Sequence, residues 1–234
     1  MLQPGDIILV SGTQKSSSAL IEIQKMLIPC AQSSHVLIAQ AECVCVDAVP
    51  KDGVRQRFFH DVVQSVKPSW KVIRKNLYQN QKDEIIKSSA YFLNQKYLIK
   101  PVEFLGKNKS YCSELVRKIY QRASLEIDVP PDGPVMPAHF DRLALNSSVW
   151  TDVTKEIKEF HDDPPLSIEE LRQAANFLIK SIKLNRKRFD DREKWREWLK
   201  NLLLSEKISS SSYEEKMAFI ASMEADLNYK FWDT

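Results

Sequence analysis

The sequence predicts an α+β protein in which an antiparallel sheet packs on helices and a helical C-terminal extension follows. Three observations point there. Short β-rich runs, such as GDIILV (5–10), HVLIAQ (35–40) and CVCVDAV (43–49), are too brief for buried helices and are bounded by turn residues. Amphipathic stretches with apolar residues three and four apart lie between and after them. From about residue 160 the pattern turns wholly helical and heavily charged, which divides the chain into 1–160 and 161–234.

Each element has its own justification. GDIILV follows Pro4 and reads as a buried strand. SSSALIEIQKMLI opens on serines and reads as a helix stopped by Pro29. HVLIAQ and CVCVDAV are so close together that they predict a hairpin, and SWKVIRKN predicts a further strand. QKDEIIKSSAYFLN is a helix with Ile85, Ile86, Ser89, Ala90 and Leu93 on one side. KSYCSELVRKIYQRA contains the start of a helix whose apolar stripe is Leu115, Val116 and Ile119. DVPPDGPVMP is a Pro-rich loop, AHFDRLAL a short helix and VWTDV a last strand. In the extension, Ser167 with Glu170 and Ser212 with Glu215 have the spacing of capping boxes. Trp195, Trp198, Leu199, Leu202 and Leu203 sit there at helical spacing.

Bulk composition narrows the function classes. A net charge of +3 on 234 residues gives no electrostatic case for nucleic acid. With 5 glycines there is no phosphate-cradling Gly-rich loop. No apolar run approaches the ~18 residues of a membrane span. The start, MLQPGDIILVSG, has no charged region ahead of its short apolar run, so the chain reads as made in the cytosol, with Cys30, Cys43, Cys45 and Cys112 reduced. The Ser- and Glu-rich SEKISSSSYEEK leaves export as an effector open.

The chemistry concentrates on Cys112. A thiol at the first turn of a helix faces unpaired N–H groups and the positive end of the helix dipole, and both favour the reactive thiolate. A free cysteine is otherwise a small buried hydrophobe. A cysteine nucleophile needs a base, and the base needs an orienting group. Of four histidines, His35 is the candidate because it opens an apolar strand. With a three-residue loop of Gln40, Ala41 and Glu42, Ala39 pairs with Cys43 and His35 with Asp47, on one face. A two-residue loop shifts the register by one and sends Asp47 to the other face. Under the three-residue loop Cys43 and Cys45 oppose Ala39 and Leu37, and both read as core thiols rather than zinc ligands.

These residues resemble a family. PGDIILV, SSHVLIAQ, VCVDAV, YCSELVRKIY and VMPAHF, in that order over residues 4–145, are similar to the permuted papain-like branch of the NlpC-type superfamily. The similarity is to the YiiX/YebB-like group, related to lecithin retinol acyltransferase. Its order, histidine before cysteine, reverses that of papain. The resemblance implies a circularly permuted papain-like fold, with Cys112 as nucleophile, His35 as base and Asp47 as orienting acid. It implies no cofactor and no metal. Two departures stand out: related proteins often carry Glu in place of Asp47 and Gly in place of Leu37. The Cys112 backbone N–H would meet the oxyanion. Tyr111 either lines the substrate pocket or packs as a helix-start aromatic; Ser113 either contacts substrate or caps the helix.

The implied activity is a cysteine hydrolase or acyltransferase acting on an amide or ester through a thioester. Lipid or small amide substrates are expected ahead of cell-wall peptides. A binding module that lost the chemistry and an effector interaction protein are the other classes. The basic run KLNRKR (183–188) ahead of Trp195 and Trp198 is either a lipid-facing patch or a solvated helix end. His60, His139 and His161 carry no signal, and the sequence does not set an oligomeric state.

Overall fold

The computed structural model describes residues 1–97, 109–146 and 148–225. Two compact units divide at 177/178, within one long helix, and each is described by itself.

Among the described residues of the first unit, the main sheet has the antiparallel order β4-β3-β2-β1-β5-β8. Its strands are β1 (Ile7–Val10), β2 (His35–Ala41), β3 (Val44–Val49), β4 (Gly53–Phe58), β5 (Lys71–Lys75) and β8 (Trp150–Asp152). A short parallel pair, β6 (Lys96–Tyr97) with β7 (Lys109–Ser110), sets Tyr97 beside Ser110. The helices are α1 (Lys15–Lys25), α2 (Phe59–Gln64), α3 (Gln79–Tyr91), α4 (Cys112–Arg122), α5 (Pro137–Asn146), α6 (Thr154–Asp162) and α7 (Ile168–Leu204).

Strand alternation gives the sheet two apolar faces. Ile8, Val10, Leu37, Ala39, Cys45 and Val72 form a core with α2, Trp70 and α6. Val36 and Ile38 alternate to the opposite side, and α3 and α4 pack against β2. Leu115, Val116 and Ile119 of α4 are fully buried, as the helical stripe predicts. The Pro-Gly-Asp start of β1 has a packing reason. Gly5 takes φ +95°, and a Cβ there would meet Leu77 Cδ1 at 2.7 Å. Its carbonyl accepts a hydrogen bond from the buried Tyr120 hydroxyl at 2.7 Å. Asp6 accepts two bonds from the Arg74 guanidinium, each 2.8 Å, tying β1 to β5.

Five described elements lie outside the pattern-based expectation: β4, α2, β6, β7 and α6. In β4 the residues Arg55, Gln56 and Arg57 replace the apolar alternation that marks a strand. The capping box at Ser167 forms, with Glu170 N–H donating to Ser167 Oγ at 3.2 Å and Ser167 N–H to Glu170 at 2.8 Å. The one expected at Ser212 and Glu215 does not start a helix. Helix α8 (Ser210–Ala225) begins earlier, and Ser209 Oγ accepts the Ser212 N–H at 3.2 Å. The sequence reads SSSSYEEKMAFIASMEADL (209–227) as this helix, and its last two residues, Asp226 and Leu227, lie outside the described residues. In the second unit Leu199 and Ile220 are fully buried, and Trp195 meets Phe219 edge-on at 6.3 Å.

Candidate active site

The hairpin that carries His35 and Asp47 departs from the expected register. Its turn is the two-residue Glu42–Cys43, because Ala41 pairs with Val44. That pairing alone would carry Asp47 opposite Ile38, on the face away from His35. A bulge between Ala39 and Ala41 resets it, so that Ala39 pairs with Cys45 and Ile38 with Val46. The bulged Gln40 is buried and its amide donates to Ser89 Oγ of α3 at 2.7 Å. Continued outward, this register sets Asp47 opposite Leu37, so His35 is its diagonal neighbour on the same face. The expected direct opposition is therefore corrected by two residues, and the face is retained. Cys43 is likewise corrected: it is a half-buried turn residue whose thiol lies 3.8 Å from the Leu171 carbonyl. Cys45 faces Ala39 in the core, where burial pushes its thiol well above the ordinary range.

Next to the bulge the sheet opens. The β2–β3 ladder ends at Ile38–Val46, while β2 stays paired with β1 as far as His35. Ala39 N–H donates to the carbonyl of Asp6, just ahead of β1, at 2.8 Å, so alternation turns the Val36 N–H toward the β3 side. There it meets Cys112, the first residue of α4, which packs against both strands. The opening thus receives the helix N-terminus, and Cys112 is only 7% exposed.

Within this opening Cys112 and His35 titrate as a pair. Burial pushes the Cys112 thiol up, yet the charge of His35, a hydrogen bond from it, the Val36 N–H and the Ser113 hydroxyl together hold it below the ordinary thiol range. Ser113 is fully buried with Oγ 3.7 Å from the sulfur. Burial pushes the His35 imidazole down, but Cys112 and Asp47 outweigh it and raise it to about 10. This is the signature of a thiolate–imidazolium pair. His35 Nε2 faces Asp47 Oδ2 at 3.5 Å, which leaves Nδ1 for the sulfur. The contact falls short of hydrogen-bond geometry, and both atoms are buried without another hydrogen-bond partner.

Asp47 is fully buried and shared. Arg55 Nε lies 3.3 Å from Oδ1 and Arg57 Nη1 3.6 Å from Oδ2. Burial would raise its carboxyl, but His35 and the two guanidiniums hold it below the usual carboxylate range. Arg55 pairs with Asp47 directly across β3–β4, and Arg57 sits opposite Cys45 on the same face. These arginines are absent from the sequence-based site, though their two-residue spacing in VRQRF was the available signal.

Four further residues, Tyr97, Asp141, Gln24 and Arg117, emerge only in three dimensions. Tyr97 is close enough for the charge of Cys112 to act on it; burial, then Cys112 and Tyr111, raise its phenol to about 12. Asp141 of α5, itself buried, accepts hydrogen bonds from the backbone N–H of Gln32 and Ser33, each 2.8 Å, and from Ser33 Oγ at 2.7 Å. Gln24 Nε2 adds a bond to the Ser33 carbonyl at 3.0 Å. The segment two residues ahead of His35 is thereby fixed from α1 and α5. Tyr111 turns its hydroxyl to accept the Val135 N–H at 2.9 Å, and Arg117 donates to Pro130 O and Gly133 O at 2.7 and 3.0 Å, so α4 pins the Pro-rich loop. Of the remaining histidines, His60 and His161 stack at 4.5 Å between α2 and α6, and His139 Nδ1 accepts the Met136 N–H at 3.0 Å.

Comparison with known proteins gives the wider setting. A crystal structure of the metalloprotein YiiX from Escherichia coli O157:H7 matches with a TM-score of 0.42 and 22% identity, over 52% of this chain and 66% of that one. The chain thus spans just under two thirds of that protein's length. No curated protein matches. The model of one family, the permuted papain-like amidase enzymes YaeF/YiiX of family C92, matches residues 1–162, which include Cys112, His35 and Asp47. On that match, which takes in well over half of the 234 residues, the chain belongs to the permuted papain-like amidase family of YaeF and YiiX.

Proposed function

We propose that the chain is a cysteine-dependent hydrolase or acyltransferase that cleaves an amide or ester through a thioester acyl-enzyme. One observation carries the reading: the thiol at the start of α4 is in hydrogen-bonding reach of the His35 imidazole, whose other nitrogen faces the buried Asp47 at 3.5 Å. The Cys112 thiolate attacks the carbonyl carbon, and the C=O pair moves onto oxygen. The N–H groups of the first turn of α4, which lack intrahelical partners, are the donors offered to that oxyanion. His35 delivers its proton from Nδ1 to the leaving nitrogen or oxygen as the C–N or C–O bond breaks. Water or an acyl acceptor, deprotonated by His35, then attacks the thioester and frees the thiolate. Asp47 fixes the ring through Nε2, and Arg55 and Arg57 keep Asp47 ionised. Lipid or small amide substrates fit this chemistry.

YiiX is described as a metalloprotein. Among the described residues of this chain, no three His, Cys, Asp or Glu side chains group so as to hold a metal ion.

An electrophilic acyl probe tests the proposal. Peptide mapping is expected to find the acyl group on Cys112, with none in Cys112→Ala and a much slower reaction in His35→Ala. Acylation of another residue, or a rate indifferent to His35→Ala, would overturn it.

A further inference from the structure

The face of the sheet opposite Asp47 carries a chain of buried amides. Asp47, Arg55, Arg57 and His35 share one face, and strand alternation sends Gln56, Val46 and Ile38 to the other, where α3 packs on β2. There the Gln56 amide of β4 donates to Gln40 Oε1 of β2 at 2.5 Å, and the Gln40 amide donates to Ser89 Oγ of α3 at 2.7 Å. Ser89 gives its own proton to the Ile86 carbonyl at 2.8 Å, so toward Gln40 it can only accept, which fixes the direction of the whole chain. All three side chains are buried.

The Gln56–Gln40 bridge passes over β3. Gln56 pairs with Val46 and Val46 with Ile38, so the bridge ties β4 directly to β2 across the strand that carries Asp47. On β4, Gln56 stands between Arg55 and Arg57. On β2, Gln40 is the bulged residue that sets the register of His35 against Asp47. Both partners of the carboxylate, the arginines on one side and the imidazole on the other, are thus held from the back of the sheet. A slip of one residue would turn Asp47 away from His35, and a bulge gives up ladder hydrogen bonds, so outside support is needed to keep it in one place. The Gln56 carbonyl oxygen is buried without a hydrogen-bond partner among the described residues, which weakens the fold and argues against a purely stabilising role.

We propose that Gln40, Gln56 and Ser89 are positioning residues for the reaction at Cys112, whose amide chain clamps the strands so that Asp47 stays between His35 and the two arginines. The inference rests on reading Cys112 and His35 as the reacting pair. None of the three touches that pair; they act on it through Asp47.

Gln56→Leu in the full-length protein tests the clamp. It exchanges one unpartnered carbonyl oxygen for another, that of Gln40, so denaturant unfolding should change little while the bridge is lost. The His35 midpoint, followed by NMR, should fall by about 0.5–1 pH unit, less than in Asp47→Asn. Iodoacetamide alkylation of Cys112 below neutral pH should slow in step, by about three- to tenfold. In an Asp47→Asn background Gln56→Leu should add nothing, because its effect runs through the carboxylate. Ile157→Val, a core substitution in α6 away from the amide chain, should leave both readings as in the parent. A parent His35 that titrates at its ordinary value would overturn the reacting pair and this inference with it. A raised parent midpoint that Gln56→Leu leaves in place, that Ile157→Val lowers as much, or that Gln56→Leu lowers equally in the Asp47→Asn background would overturn this inference alone.

Discussion

Replacing Asp47 by Asn removes one charge and almost no volume, and its effect on His35 follows from the geometry. The carboxylate oxygen lies 3.5 Å from Nε2. At an effective dielectric of about 20, a full charge there is worth at most about 5 kcal/mol, or roughly 3.5 pH units. Two arginines draw on the same carboxylate, so the imidazole should lose less, about 1–3 units from its parent midpoint. In the parent that midpoint is about 10. Because the folded value lies above the ordinary 6.5, the stabilisation it brings is complete below 6.5 and disappears as pH rises through about 10. In Asp47→Asn the loss should still begin near 6.5 but be complete at a correspondingly lower pH. Four histidines make the assay practical: each imidazole resonance can be assigned by a single substitution and followed by NMR. A parent His35 that titrates near 6.5, or a midpoint unmoved by Asp47→Asn, would refute this account of the pair.

Other expectations follow from single contacts. In Gly53→Ala the new Cβ would sit 2.1 Å from the Gln95 carbonyl at φ +70°, and thermal unfolding should show a loss of at least about 2 kcal/mol, lowering Tm by roughly 4–8 °C. Asp141→Asn leaves one acceptor oxygen for three donors; it should cost about 1.5–3 kcal/mol by denaturant unfolding and slow Cys112 alkylation by displacing the His35 segment. Cys45 should resist alkylation until the protein unfolds, since it is fully buried with its thiol pushed up, and labelling in native buffer would contradict this.

How much of this was legible in the sequence depends on the range of the interaction. The α4 stripe, the Ser167 cap and the strand-turn-strand order are local patterns, and they appear as read. His35 and Asp47 were placed on one face from a loop length that the structure does not have. Two departures cancel: the shorter turn moves Asp47 off the face, and the bulge at Gln40 brings it back. Such a bulge depends on Ser89 from a distant helix and leaves no local mark. Arg55 and Arg57 were missed because a strand that carries charge toward a buried carboxylate lacks the apolar alternation by which strands are read. Asp141 acts across 108 residues on Ser33, and Tyr97 approaches the thiol through a two-residue parallel pair. Neither relation exists before the chain folds.

The most direct test of the central claim is the rate of iodoacetamide reaction at each cysteine as pH is lowered through neutrality. With the thiolate stabilised by His35, Cys112 should react ahead of Cys30, Cys43 and Cys45. It should keep reacting below the ordinary thiol range, since its depressed pKa leaves the anion populated there, and His35→Ala should abolish that advantage. If Cys112 reacts no faster than Cys30 at neutral pH, or loses nothing in His35→Ala, no ion pair operates and the catalytic account fails.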